Sequence, residues 1–525
     1  MRENVKKPKE RQAWGTRFGI IMAVAGSAVG LGNFLRFPVQ AAQNGGGAFM
    51  IPYFVSLFLL GIPLMWIEWT AGRYGGGYEH STAPGIFHTL WEKNRFIKYF
   101  GVIGIFGPLV IFVYYTYVES WTLAYSFFAL TGKYSPCTDQ RSMQDFLLGF
   151  QGLQKNQYFS SLFWAYLFFL ITFLLNFAII YRGITKGIEK FCKYAMPILF
   201  LCGFIVAIRV LFLGTPDAQK PSWNSINGLA FLWNPDFSAL KSAKVWLAAA
   251  GQIFFTLSVG IGVILTYASY LSKGDDVALS GLTAVATNEF AEVVLGGSIV
   301  ITSAFVFFGP LATQEIAKSG AFNLGFVTMP LIFLKVPLGA IFGACWFMML
   351  FLAGITSSIS LAQPAVAFLE DEFDIDRKHA VWFLGIICFF LCQPPIFLLG
   401  HGVINEMDFW GGTFCLVLFA AVETVLFGWV FGIEKAWEEM HKGADIHIPR
   451  IYKFIIKYIT PLFLFFILGF WFYQEGIPVM LMKNVPEADK PNILAIRFLL
   501  IAIFISIAVL VRLAWQKRKV PVKKG

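Results

Sequence analysis

About a dozen stretches of this chain are apolar over lengths that only a membrane crossing requires. A bilayer core of roughly 30 Å takes about 20 apolar residues in a helix. Within it each backbone N–H and C=O must find its partner in the protein, because lipid offers none. Phe163–Ile180, Met196–Gly214, Phe409–Val430 and Phe498–Val511 with its flanks are clear runs of this kind. Counting them predicts about twelve spans. They begin near Arg17, Ala48, Phe100, Ser160, Tyr194, Val245, Ser280, Leu338, His379, Met407, Ile455 and Asn492. With 57% hydrophobic and only 14% charged residues and a mean hydropathy of +0.66, the chain is no soluble globule. It reads as an all-α integral membrane protein with no soluble module.

Two of the spans carry the same irregularity. Ala28-Val29-Gly30-Leu31-Gly32 recurs in the second half as Ser258-Val259-Gly260-Ile261-Gly262. Paired glycines are poor helix material, and Gly-interrupted spans at matching positions of two halves point to a transporter's midplane site. Close helix packing through small residues is the other use of such a pattern. If the spans before and after the offset form two repeats with an odd number of spans each, the second is inverted relative to the first.

Basic residues fall on one side. Arg2, Lys6, Lys7, Lys9, Arg11 and Arg17 precede the first span, and Arg512, Lys517, Arg518, Lys519, Lys523 and Lys524 follow the last. Lys93–Lys98, Arg182–Lys193 and Lys435–Lys457 are read as loops on that same side, whereas Gln40–Gly47 and Leu398–Asn405 hold no Lys or Arg. Lys and Arg accumulate in the cytoplasm, so both termini are expected there, in the inner (plasma) membrane, with no cleavable signal peptide. This asymmetry and anionic lipid account for the net charge of +10 without nucleic acid. The seven cysteines and six histidines show neither disulfide nor metal spacing, so neither zinc nor haem is expected. Ser135–Gln157 is a polar external loop, and Gly309–Lys335 is a long connection apolar enough to fold back on the protein.

A break at Gly30 frees carbonyls for a hard cation, and the following half-helix turns its N–H groups toward an anion. Asn33, Thr256 and Ser258 add side-chain oxygens nearby, and Thr356-Ser357-Ser358 places three hydroxyls inside another span. Hydroxyls bonding back to their own helix remain the other reading of that triplet.

These segments closely resemble the neurotransmitter:sodium symporter family over nearly the whole chain. The likeness is carried by Gly30-Leu31-Gly32-Asn33-Phe34-Leu35-Arg36-Phe37-Pro38, Asn44-Gly45-Gly46-Gly47-Ala48-Phe49, Glu119-Ser120-Trp121, Gly251-Gln252-Ile253-Phe254-Phe255-Thr256-Leu257-Ser258 and Asn405-Glu406-Met407-Asp408-Phe409-Trp410. It implies about 12 transmembrane helices in a five-plus-five inverted repeat. The repeats would cover about 11–215 and 243–432, with discontinuous helices 1 and 6 and two additional helices at about 450–516. It also implies sodium-coupled transport by alternating access, with two Na+ ions.

Carried over from the family, one sodium site uses the carbonyls of Ala28 and Thr256, the side chains of Asn33, Thr256 and Asn288, and the substrate's carboxylate. The second uses the carbonyls of Gly26, Val29 and Ala353 with the hydroxyls of Thr356 and Ser357. Because the substrate completes the first ion's shell, each would strengthen the other's binding. Relatives that carry monoamines place an aspartate at the position of Gly30, so glycine here implies an amino-acid substrate. Tyr115 and the N–H groups of Leu31 and Gly32 would hold its carboxylate; the carbonyls of Ala28, Phe255 and Thr256 and the Ser258 hydroxyl would meet its ammonium.

The side-chain pocket, bordered by Ser357, departs from that of the family's bacterial leucine transporter. Ile261 replaces phenylalanine, Ile111 replaces valine and Leu361 replaces isoleucine. The expected substrate is a neutral hydrophobic L-amino acid, leucine-sized or somewhat larger. Ser27 replaces an asparagine, with no consequence legible from sequence. Arg36 and Asp408 match the outer closure above Tyr115 and Phe255, with Gly309–Lys335 expected to cap the outer vestibule. Arg11 and Asp371, with Trp14, Ser269 and Tyr270, match the inner closure; a static ion pair is the alternative at either place. Glu292 stands where chloride-dependent members carry a neutral residue. With Tyr53, Gln252, Thr256 and Asn288 around it, Glu292 implies chloride-independent transport, with a proton possible in the return direction. Glu68 and Glu423 are further intramembrane carboxylates, read as structural hydrogen-bonding groups.

A channel would need no amino-acid pocket, and no filter-like repeat occurs. An enzyme would need paired catalytic residues, which are not found. A proton-coupled transporter and a sensor that binds without transporting stay open as alternatives, although the Thr356 and Ser357 hydroxyls favour sodium. The sequence leaves monomer and homodimer equally open.

Overall fold

The computed structural model describes residues 12–519, in which the regular structure is helical apart from one isolated bridge between Gly46 and Pro235. In chain order, α1 is a bent pair, Arg17–Ala28 and Gly32–Gln43, whose halves meet at 46°. There follow α2 (Gly47–Gly76), α3 (Ile97–Thr131), α4 (Phe163–Tyr181) and α5 (Ile184–Leu211). Next, α6 is split into Ala243–Leu257 and Val263–Ala268, neither long enough to cross alone. The remaining spans are α7 (Ala278–Glu315), α8 (Gly339–Phe373), α9 (Arg377–Phe397), α10 (Val403–Val430), α11 (Ile451–Met480) and α12 (Lys490–Lys517). Among the described residues, ten single helices and the bent pair are long and apolar enough to cross a membrane, against about twelve spans predicted, and the two pieces of α6 lie near the predicted span start at Val245.

The two breaks arise differently from the same glycine pattern. In α6 the backbone is left-handed at Ser258 (φ 53°), Gly260 (φ 76°) and Gly262 (φ 82°). Glycine enters that region freely and other residues do so at a penalty. In α1 the glycines are needed for room: a Cβ on Gly30 would meet Ser357 Oγ at 3.0 Å and Tyr115 Oη at 3.1 Å.

α3 and α8 form the interior, with few exposed residues along their middles. α9 and α12 lie outside and present Trp382, Phe383, Phe390, Phe498 and Ile501 outward, as lipid-facing helices do. Both described ends lie on one face: Gln12 donates to Glu370 (3.1 Å) and Lys517 to the Phe373 carbonyl (3.2 Å), both at the end of α8.

Two expectations are corrected here. The segment Arg182–Lys193 is no loop, since α5 begins at Ile184, ten residues before the predicted start at Tyr194. Its buried Glu189 is taken up by the Gly15 N–H (2.7 Å) and the Thr16 hydroxyl (2.9 Å), so a charge that suggests a loop is an anchor for α1. Nor does a connection open at Gly309: the helix continues to Lys318 across a kink at that residue, where φ is 76° and a Cβ would strike the Trp223 ring. The rest of Gly309–Lys335 does fold back, burying Phe326 against Tyr125 and Phe347 with ring centroids 5.1 and 5.8 Å apart.

Candidate binding site between the helix breaks

The breaks of α1 and α6 lie side by side, and Asn33, one residue beyond the first, organises the polar groups between them. Its Oδ1 accepts from the Gly30 N–H at 2.8 Å. Its Nδ2 lies 3.0 Å from Thr256 Oγ1, 2.8 Å from Asn288 Oδ1 and 3.1 Å from Glu292 Oε2. The Asn288 amide reaches to 3.1 Å from the Ala28 carbonyl and 3.3 Å from that of Thr256. The Ala28 and Thr256 carbonyls, the Thr256 hydroxyl and the Asn288 amide anticipated around one sodium ion are brought together, while Asn33 turns its Nδ2 toward them and its Oδ1 to the Gly30 N–H.

Glu292 backs this cluster. Fully buried, it accepts from Gln252 Nε2 (2.7 Å) and from the Thr256 hydroxyl. The Tyr53 hydroxyl donates to a second carboxylate, Glu289, at 2.8 Å. Sequence reasoning missed Glu289, although its spacing of three from Glu292 puts both on one helix face.

A second group of oxygens lies where α8 passes α1. The Ser357 hydroxyl is 3.4 Å from the Gly26 carbonyl, 3.1 Å from that of Ser27 and 3.0 Å from that of Ala353. The Thr356 hydroxyl is 2.8 Å from the Leu352 carbonyl and 3.2 Å from that of Ala353. The hydroxyls of Thr356, Ser357 and Ser358 all bond back to carbonyls of their own helix; Ser357 also reaches α1, and Ser358 reaches Asn176 of α4 at 2.6 Å. Val29 ends the first half of α1 in an extended conformation (ψ 91°), which releases its carbonyl from the helix.

Between the two groups lies a cavity of about 60 Å³. Ala28, Gly30, Gly32, Ile111, Tyr115, Phe255, Ser258, Ile261, Ser357 and Leu361 line it as anticipated, together with Ser27 and Asn33. Gly412 and Leu416 of α10 also line it and were not anticipated. A Gly411-Gly412 pair inside an apolar run was the available signal. No ionised side chain stands among these lining residues. At one end the Leu31 N–H donates to Tyr115 Oη at 3.1 Å, so both groups assigned to the substrate's carboxylate are adjacent and bond to each other. Ser27, unread from sequence, has a clear place: its hydroxyl shares a hydrogen bond with Ser360 (2.7 Å), and its carbonyl accepts from Ser258 and Ser357.

Phe255 roofs the cavity, with a larger one of about 390 Å³ above it. Arg36 and Asp408 form no direct ion pair here. The Arg36 guanidinium lies 4.3 Å from the centroid of the Phe255 ring, and Asp408 accepts from the Tyr114 hydroxyl at 2.5 Å. No residue of 309–335 lines the upper cavity; Phe326 of that segment packs on Tyr125 of α3 and Phe347 of α8.

The face bearing the chain ends is packed shut. Trp14 Nε1 donates to the Tyr267 carbonyl (2.8 Å) and its ring meets the Tyr267 ring edge-on. The Tyr270 hydroxyl accepts from Gln363 (2.9 Å), and Asp371 accepts from the Ser81 N–H (3.1 Å). Ser269 bonds within its own turn, to the Thr266 carbonyl. Arg11, the expected partner of Asp371, lies outside the described residues.

Two broken helices side by side, with carbonyls and hydroxyls turned toward a pocket between them, are an arrangement found in secondary transporters. The chain belongs to the sodium:neurotransmitter symporter family, which matches residues 11–146 and 164–517. A sodium-dependent transporter of Methanocaldococcus jannaschii is 30% identical over 87% of this chain and 89% of its own. The Bacillus subtilis sodium-dependent transporter YhdH is 29% identical over 79% of this chain and 84% of its own. Among solved structures, MhsT in complex with L-phenylalanine is similar, with a TM-score of 0.72 and 31% identity over 87% of this chain and all of that one. The protein is thus a sodium-dependent, multi-pass membrane transporter and not an enzyme.

Proposed function

We propose that the protein couples two sodium ions to uptake of a neutral hydrophobic L-amino acid, leucine-sized or somewhat larger, without chloride. The observation that carries this reading is the chemistry of the cavity. Its lining has no ionised side chain, yet it presents the Tyr115 hydroxyl, bonded to the Leu31 amide, together with Ala28 and Asn33, and Asn33 in turn touches Thr256 and Asn288. An amino acid brings the missing carboxylate, displaces the Tyr115–Leu31 bond and shares its charge with the first ion. A monoamine cannot. Ile111, Ile261 and Leu361 supply apolar walls for the side chain, and the L-phenylalanine held by MhsT fits the same class. The second ion takes Gly26, Val29, Ala353, Thr356 and Ser357.

Glu292 supplies the negative charge beside the first ion, which removes the need for chloride. Both chain ends are cytoplasmic, so the packed face is the inner closure and the cavity above Phe255 opens outward. The repeats run over about 11–215 and 243–432. With a tenfold sodium gradient and 100 mV, two ions supply about 7 kcal/mol, ample for concentrative uptake. The test is binding of radiolabelled leucine to purified protein in sodium against potassium, with unlabelled amino acids and one monoamine as competitors. Sodium-dependent binding displaced by hydrophobic amino acids alone is expected; binding indifferent to sodium would overturn the coupling.

A further inference from the structure

Glu119, Asn176 and Ser358 stand on three different helices, α3, α4 and α8, and all three are fully buried. Asn176 Nδ2 lies 3.2 Å from Glu119 Oε1 and 3.4 Å from Glu119 Oε2, and it also donates to the Thr172 carbonyl, one turn back on α4, at 3.1 Å. Asn176 Oδ1 accepts from the Ser358 hydroxyl at 2.6 Å. A hydrogen-bonded chain thus crosses from α3 through α4 to α8. Glu119 forms no ion pair among the described residues, and the Asn176 amide is its donor. A carboxyl group within a span is costly and marks function more often than not.

The chain runs directly behind the binding site. Glu119 follows Tyr115 by one turn of α3, and Ser358 is the neighbour of Ser357 on α8. Tyr115 and Ser357 are the two side chains that close on Gly30 from either helix. Residues four apart share a helix face, so Ala353 and Ser357 form one stripe of α8, turned to α1, where Ser357 meets the Gly26 and Ser27 carbonyls. Gly354 and Ser358 form the next stripe, turned to α3 and α4. A Cβ on Gly354 would lie 2.7 Å from Glu119 Cγ, so the glycine is what lets α8 close on the carboxyl. Ser358 has a second acceptor in the Ile355 carbonyl at 3.2 Å, and the bond to Asn176 is the shorter.

We propose that Glu119 and Asn176 are positioning residues for ion binding: through Ser358 they hold the 353–358 stretch of α8 at the distance from α1 that the second sodium ion requires. The inference rests on the assignment of that ion to Gly26, Val29, Ala353, Thr356 and Ser357. A shell drawn from two helices has an affinity set by how those helices are held, and groups one layer behind the ligands set it. Glu119 fixes the Asn176 amide by taking both contacts of its Nδ2, which leaves Oδ1 aimed at Ser358. The constraint reaches α8 on a face other than the one turned to the ion, so it acts through the helix and not by ligation.

Thermal melts of the purified protein test this, with sodium replacing potassium at constant ionic strength and no amino acid present. An ion that binds the folded state raises the melting temperature with concentration, and the apparent sodium dissociation constant is fitted to that rise. Ser358→Ala and Asn176→Leu should each raise the constant about fivefold, the effect of one buried hydrogen bond. Glu119→Leu should do the same, whereas Glu119→Gln, whose amide oxygen still accepts from Asn176, should restore the wild-type value. A merely structural role would lower the melting temperature in potassium and sodium alike and leave the constant unmoved. Ser358→Ala removes a single oxygen, so the test does not depend on the bulkier changes folding. A wild-type constant in Ser358→Ala, or a Glu119→Gln constant displaced as far as that of Glu119→Leu, would overturn the proposal alone. A wild type that gains no stability from sodium would overturn the ion assignment, and the proposal with it.

Discussion

Ser258 Oγ donates to the carbonyl of Ser27 at 2.9 Å, joining the break of α6 to the break of α1 across 231 positions of sequence. The donor sits in a left-handed backbone conformation (φ 53°) at the break, and the acceptor is a carbonyl that also receives Ser357. The bond holds the substrate cavity's two sides in register, and its removal should be felt by the ligand. Ser258→Ala is expected to weaken amino-acid binding about tenfold, as one hydrogen bond of roughly 1 kcal/mol and a misplaced backbone would do, while sodium affinity at the second site holds. Equilibrium binding of radiolabelled amino acid at saturating sodium measures it.

Tyr115→Phe removes the hydroxyl that now accepts from the Leu31 N–H. In the complex that hydroxyl donates to a carboxylate, a contact of about 1.5–3 kcal/mol. Substrate affinity should fall by between about tenfold and a hundredfold. The same competition assay should show the rank order of amino acids unchanged, because the apolar walls are untouched.

Ser357→Ala deletes a hydroxyl placed between Gly26, Ser27 and Ala353. Half-maximal sodium for binding should rise severalfold, with the apparent number of sodium ions per binding event falling toward one. A sodium titration with unchanged midpoint would remove Ser357 from the ion's shell.

On the role proposed for Glu292, Glu292→Ser should make uptake stimulated by chloride, since Gln252, Thr256 and Asn33 would then face a site without its negative charge. Uptake in chloride against gluconate reads this directly. Stimulation already present in the wild type would contradict the role given to Glu292.

Much of this site was visible in the sequence because its chemistry depends on residue types that are conspicuous in an apolar chain. Gly260 and Gly262 announce a break because few other residues adopt their backbone angles, and Asn33, Asn288 and Glu292 stand out as polar groups where lipid would forbid them. What stayed hidden has physical reasons too. Gly412 and Leu416 reach the cavity because α10 crosses the α6 break, a tertiary fact marked locally only by the Gly411-Gly412 pair. Ile184–Glu189 reads as a loop because its charges are satisfied from α1, far away in sequence. Arg36 and Asp408 carry the right charges for a closure, but whether they touch depends on conformation, and here Arg36 rests on Phe255 while Tyr114 holds Asp408.

Of the unbroken helices beside the site, α8 is the longest, running from Gly339 to Phe373. It carries Ala353, Thr356, Ser357 and Leu361 at mid-depth and Asp371 near its end, roughly 21 Å beyond Ser357 at 1.5 Å per residue. A rod of that kind fixes the distance between the Ser357 hydroxyl beside the cavity and Asp371 on the packed face. It acts as a datum post in a hinged frame, with the bending left to the jointed helices beside it.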